Sequence, residues 1–159
     1  MNEQVKIRRY RHSDRDALME ITIKAFDGVS IDQNIEKKFG IIGNLPWQEK
    51  KKRHIEQDIR SNPGGIWIAE LEGEVVGYIT TQLDYRIRIG YIPNLAVKKG
   101  FRGKGIGKKL FSTAFNYLKK CGMEYVRIET LEQNIVASKF YPKKGFEEIG
   151  RQIHYIRPL

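Results

Sequence analysis

Residues 94–110, NLAVKKGFRGKGIGKKL, carry the spacing with the clearest chemistry in this chain. An apolar run from Asn94 to Val97 breaks into a basic, glycine-rich segment, Lys98 to Lys104, and resumes at Gly105 in a helical pattern. The first turn of such a helix leaves N–H groups without intrahelical partners, and the helix dipole adds partial positive charge, so the segment suits a bound anion. Two familiar phosphate loops fail on spacing. Gly100 and Gly105 open a P-loop pattern, but Ile106 stands where that loop needs its lysine. Gly103 and Gly105 begin a dinucleotide fingerprint, but Lys108 occupies the place of its third glycine.

The charge supports an anion site. The chain has 29 lysines and arginines against 19 acidic residues, a formal charge of +10. Lys98, Lys99, Arg102, Lys104, Lys108 and Lys109 surround the glycine segment with no acid among them, and Lys50, Lys51, Lys52 and Arg53 form a second run. Outside these two runs the basic and acidic residues balance, so the excess is local. The second run reads as the solvated face of a helix. A length of 159 residues with 40% hydrophobic side chains predicts one globular domain, 1–159, with a single core. Cys121 is the only cysteine, so no internal disulfide forms, and it reads as a small packing residue at a helix end. No apolar run reaches the length of a signal core or membrane span, so a cytoplasmic location and no membrane partner are expected.

The elements that must position the loop follow from periodicity. Gln4 to Tyr10 alternates as a strand, and Ser13, Asp14 and Asp16 open a helix that Gly28 closes. Residues 29–45 are apolar but broken by Gly40 and Gly43 and carry no assignment. Pro46 opens a helix to about Arg60 with Ile55 and Ile59 inward. Ile66 to Leu71 and Val75 to Leu83 form a hairpin, followed by a strand from Ile87 to Val97. Pro93 lacks an N–H and marks a bulge or an edge there. After the loop, Ile106, Leu110, Ala114, Tyr117 and Leu118 make one helical stripe, ended by Gly122. Tyr125 to Leu131 is the next strand, and the strand–helix–strand crossover makes 91–97 and 125–131 parallel neighbours. Asn134 caps a last helix limited by Pro142 and Gly145, and Phe146 to Ile149 with Ile153 to Ile156 predict a closing hairpin around Gly150.

Arg102, Gly105 and Gly107 after LAV match Q/R-x-x-G-x-G/A, and NIVASKFYPKKGF, residues 134–146, matches N-x-x-A-x-x-F/L-Y-x-x-x-G-F at Asn134, Ala137, Phe140, Tyr141, Gly145 and Phe146. Together these resemble the two signatures of the GCN5-related N-acetyltransferase (GNAT) superfamily, over roughly residues 66–150. The wording RIETLEQN resembles its ribosomal-protein alanine N-acetyltransferase branch. The resemblance implies an α/β fold of mixed α+β type, with a mostly antiparallel central sheet, a splayed parallel pair and helices on both faces. It implies acetyl-CoA as co-substrate and no metal. The coenzyme would lie along Leu95, Ala96 and Val97, on Arg102, Gly103, Lys104, Gly105, Ile106, Gly107 and Lys108, and near Asn134 and Tyr141. Pro142 departs from the charged residue more usual at that place.

An amine must lose its proton before it attacks a thioester, so a carboxylate is needed near the splay. The resemblance assigns that role to Glu129, whose alternative is a strand glutamate paired with Arg127; a water relay to another carboxylate is the variant of the same step. Glu132 and His154 are weaker candidates. Tyr141 matches the family's general acid, and an N–H near Leu95 would polarise the carbonyl. The expected activity is direct acetyl transfer to a primary amine in a ternary complex, with a protein or peptide N-terminus as acceptor. A small-molecule amine, aminoglycoside- or polyamine-like, is the alternative. Outside enzymes, a basic nucleic-acid-binding module or a non-catalytic acyl-CoA sensor remain, the latter favoured by a Glu129 locked in an ion pair. Partners are then acetyl-CoA and the amine, with nucleic acid not expected and a homodimer left open.

Overall fold

The computed structural model describes residues 4–159. Seven strands run in chain order as β1 (Lys6–Arg9), β2 (Trp67–Leu71), β3 (Glu74–Ile79), β4 (Gln82–Asp84), β5 (Ile89–Tyr91), β6 (Leu95–Val97) and β7 (Tyr125–Arg127). Five α-helices join them: α1 (Arg15–Ala25), α2 (Ile31–Phe39), α3 (Trp47–Ser61), α4 (Ile106–Lys120) and α5 (Ile135–Lys143). The strands form two sheets, an antiparallel one in the order β1-β2-β3-β6 and a second in the order β4-β5-β7. Only β5 and β7 pair in parallel, with Gly90 opposite Val126.

The strand expected from Ile87 to Val97 is divided between the two sheets. Its first part, β5, pairs with β7, and its second part, β6, pairs with β3. The division falls at Ile92-Pro93-Asn94, where proline cannot donate to a ladder. The parallel neighbours are accordingly shorter than expected. Once the chain turns away at Pro93, residues 128–131 have no strand left to pair with, so β7 stops at Arg127.

Helices cover both faces of the larger sheet. The α4 stripe, Ile106, Leu110, Phe111, Ala114 and Leu118, is buried against Ala69, Val76 and Ile79. On the other face, Leu18 and Ile21 of α1 and Ile55 of α3 meet Ile68, Tyr78 and Ala96. Each such aliphatic side chain contributes about 1.5–3 kcal/mol of burial. The Tyr78 hydroxyl lies 2.6 Å from Thr22 Oγ1, which fixes α1 on β3 and satisfies a polar group in a dry layer.

The unassigned stretch 29–45 contains α2, whose C-terminus is closed by Gly40 at φ 76°. The closing hairpin does not form. Residues 146–156 have no regular structure, and Ile149, Ile153 and Tyr155 are exposed. Arg151 binds Glu148 and Glu132, and among the described residues no element covers Ile149, Ile153 or Tyr155. A two-stranded hairpin without such cover is marginal in water. Among the described residues no helix is long and apolar enough to cross a membrane.

Candidate active site

Hydrogen bonding changes partner across Pro93. Ile92 N–H still donates to Arg127 of β7 at 3.2 Å, whereas the Asn94 carbonyl accepts from Thr80 N–H at 2.9 Å. In β6 the residues bonded to β3 are Asn94, Ala96 and Lys98, whose N–H reaches Val76 at 2.9 Å. Antiparallel strands alternate the direction of their backbone groups, so Leu95 and Val97 turn their N–H and C=O into the splay. Arg102 Nε donates to Val97 O at 3.0 Å, which ties the glycine loop to the end of this free edge. The N–H of Leu95 is therefore an unpaired donor beside the break.

The loop has the shape expected of an anion cradle. Gly103 and Gly105 adopt φ 75° and 77°, where a Cβ is strained, and Gly105 is the N-cap of α4. A Cβ at Gly103, Gly105 or Gly107 would meet nothing within 4 Å, so the space over the loop is open. Lys98 is ion-paired with Glu74 at 2.5 Å, while no ion pair engages Lys99, Arg102, Lys104, Lys108 or Lys109 among the described residues. Open N–H groups at a 15-residue helix start, with uncompensated cations around them, fit a diphosphate.

Asn134 caps α5 as expected, its Oδ1 accepting from Ala137 N–H at 3.1 Å. That helix carries Tyr141 into a cluster of rings, edge-on to Phe140 and Phe146, which pack on Phe111 of α4. Burial pushes the Tyr141 phenol up to about 12, so it stays protonated and acts as a donor. Glu129 stands elsewhere, in a cavity of about 340 Å³ between α3, the strand break and the end of β7. The structure thus brings Glu129 together with Pro93 and Asn94, next to Leu95, and leaves Tyr141 outside this lining. Arg127 Nη2 binds Glu129 Oε1 at 3.0 Å, with the two side chains 43% and 69% exposed. A pair so exposed is worth at most about 1 kcal/mol and does not lock the carboxylate.

Two residues of α3 were not anticipated. Asp58 is 4% exposed, and its carboxylate accepts from Thr80 Oγ1 at 2.8 Å, Asn94 Nδ2 at 2.7 Å and Gln82 Nε2 at 3.1 Å. Burial raises its pKa, and the three donors oppose that shift. Lys51, expected on the solvated face, instead turns inward, with Nζ 3.0 Å from Asn94 Oδ1 and 3.9 Å from the Phe26 ring centroid. Desolvation lowers its pKa, while Asp58 and Asp32 raise it. A signal existed in the sequence. Trp47, Lys51, Ile55, Asp58 and Ile59 fall on one helical stripe, and charges within an apolar stripe are the buried polar groups that call for explanation.

The stretch 29–45 is tied to the segment after β7 without lining the cavity. Gln133 exchanges hydrogen bonds with Asn34 of α2 at 2.8 and 3.2 Å and donates to the Gly28 carbonyl at 2.6 Å, so α2 is held to the segment that follows β7.

A sheet opened at a strand switch, with the open start of a helix on one side and a carboxylate-bearing cavity on the other, defines a GNAT-like α/β architecture. The sequence model of the acetyltransferase (GNAT) family matches residues 29–146, and the chain belongs to that family. Among its relatives, an uncharacterised N-acetyltransferase of Methanocaldococcus jannaschii is 38% identical over 87 residues, 54% of each chain. N-acetylaspartate synthetase of Xenopus tropicalis is 30% identical over 105 residues, 65% of this chain and 39% of that protein. The chain thus spans about half or less of the length of these two relatives. The PaiA N-acetyltransferase of Thermoplasma acidophilum, solved with coenzyme A, shares the fold with a TM-score of 0.72 at 23% identity, over 91% of this chain and 90% of that one. Membership is established for the superfamily as a whole; the ribosomal-protein branch is a likeness of motif wording only.

Proposed function

We propose that the protein is an acetyl-CoA-dependent N-acetyltransferase that acts on a small primary amine by direct attack in a ternary complex. The observation that carries this reading is the juxtaposition at Pro93: an unpaired Leu95 N–H, a free strand edge and a carboxylate-bearing cavity meet at one break. The cavity's volume of about 340 Å³ supports a small acceptor. The similarity to N-acetylaspartate synthetase, a name whose product is an N-acetylated amino acid, points the same way.

In this scheme the glycine loop holds the diphosphate of acetyl-CoA, and Leu95 to Val97 align its extended arm as a further strand would. Glu129, directly or through a water, takes the proton of the acceptor ammonium. The amine nitrogen then bonds to the thioester carbon, and the oxyanion is held by Leu95 N–H. The C–S bond breaks as the carbonyl re-forms, and the second proton that the nitrogen sheds passes to solvent. The departing thiolate accepts a hydrogen bond from Tyr141; a phenol raised to about 12 is a weaker acid than a thiol near 8.5, so it donates without surrendering its proton. Asp58 is the less suitable base, because three of its roughly four lone-pair sites are taken by Thr80, Asn94 and Gln82.

Thiol release from acetyl-CoA, followed over a panel of small amines and N-terminal peptides with Glu129→Gln and Tyr141→Phe beside the wild type, tests the reading. Turnover restricted to peptides would replace the small acceptor by a protein terminus. Coenzyme A binding without turnover of any amine would favour the sensor.

A further inference from the structure

The charges around the cavity are not evenly engaged. Its lining carries two basic side chains, Lys51 and Arg127, and two carboxylates, Asp58 and Glu129. Asp58 accepts from Thr80, Asn94 and Gln82, and Arg127 and Glu129 are paired with each other. Lys51 is different. Its ammonium has three N–H donors, one directed at Asn94 Oδ1, and among the described residues no carboxylate lies within ion-pair distance of it. Its Nζ stands 3.9 Å from the Phe26 ring centroid, and burial desolvates the charge, with Asp58 and Asp32 acting on it only from beyond ion-pair distance. His54 also faces the cavity, and its Nε2 stands 3.9 Å from Asp32 Oδ2, an oxygen with no hydrogen-bond partner that lies outside the lining.

We propose that the acceptor is an amine that also bears a carboxylate, in the simplest case a free amino acid, with the carboxylate bound by Lys51 and the amine directed towards Leu95 and Glu129. This rests on the cavity's being the acceptor site of the acetyltransferase described above. A polycation such as a polyamine would bring like charge against Lys51 in a poorly solvated pocket, whereas a carboxylate supplies a counter-charge at ion-pair distance and accepts the two spare N–H groups. Gln57 of α3 and His54 offer further donors on the same wall.

The test compares matched acceptors that differ only in the acid: glycine with glycinamide, L-aspartate with its diamide, and spermidine and a tripeptide as outliers. Thiol release gives kcat/KM for each, and calorimetry with coenzyme A present gives the affinity for the N-acetylated acid and amide. The wild type is expected to prefer each acid over its amide by roughly tenfold or more, mostly through KM. Lys51→Met, which keeps an unbranched side chain and removes the ammonium, is expected to bring that ratio close to one, and Lys51→Arg to restore part of it. Equal or better turnover of amides or spermidine by the wild type overturns the proposal while leaving the acetyltransferase intact. An acid preference that survives Lys51→Met overturns it too. Lys51-dependent binding of the acid without turnover of any amine leaves the proposal standing and removes the activity, and absence of both removes the two together.

Discussion

Leu95 and Asp58 lie on either side of Asn94, and the two halves of the site that meet there are made of different material. On the donor side the recognition groups are backbone: the free edge of β6, the left-handed turn at Gly103 and Gly105, and the open start of α4. On the acceptor side they are side chains from α3, the strand break and β7, arranged around the buried carboxylate of Asp58. A site built from backbone depends on conformation and tolerates many side chains. A site built from side chains depends on identities at scattered positions. One half can therefore be shared among proteins with different substrates while the other varies.

Substitutions in the two halves should fail differently. The largest loss is expected from Glu129→Gln, about 10²–10⁴-fold in kcat/KM with coenzyme A affinity unchanged. Steady-state kinetics with calorimetry checks it, and an unaltered rate would move the base elsewhere. Asp58→Ala leaves two buried donors, Thr80 and Asn94, and the half-buried Gln82 without an acceptor and should cost about 3 kcal/mol of stability in urea unfolding, more than Asp58→Asn. Little change would mean that Asp58 does not hold the break. On the donor side, Gly105→Ala places a Cβ at φ 77° and should cost about 1–2 kcal/mol, read as a lower melting temperature and weaker coenzyme A binding. Tyr141→Phe should lower kcat by about tenfold, one hydrogen bond in the departing thiolate's favour. Because the phenol must keep its proton to donate and burial raises it to about 12, wild type and Tyr141→Phe should share one alkaline limb below about pH 11. A limb that disappears with the tyrosine would contradict its buried state.

The same division explains what could be read in the sequence. Glycine, proline and the asparagine cap announce backbone geometry locally, so the loop at Gly103 to Gly107, the break at Pro93 and the cap at Asn134 were all legible. Lys51 and Asp58 act through partners 22 to 43 positions away, such as Thr80 and Asn94, and only folding brings these together. Their presence on an apolar stripe was visible, but a lysine run reads more readily as solvent-facing. The closing hairpin was read from two short apolar segments around Gly150, and such a pair needs a surface to cover it, which the structure does not provide for Ile149, Ile153 and Tyr155.

The switch at Pro93 has a consequence for the protein's solubility. An unpaired strand edge is a template on which another chain can add itself, and β6 presents one permanently because its former neighbour has been led into a different sheet. Its safeguards are built in: three residues of length, a proline with no donor before it, and Arg102 closing the Val97 carbonyl at its far end. The edge stays long enough to align a narrow extended ligand and too short and too guarded to recruit a strand.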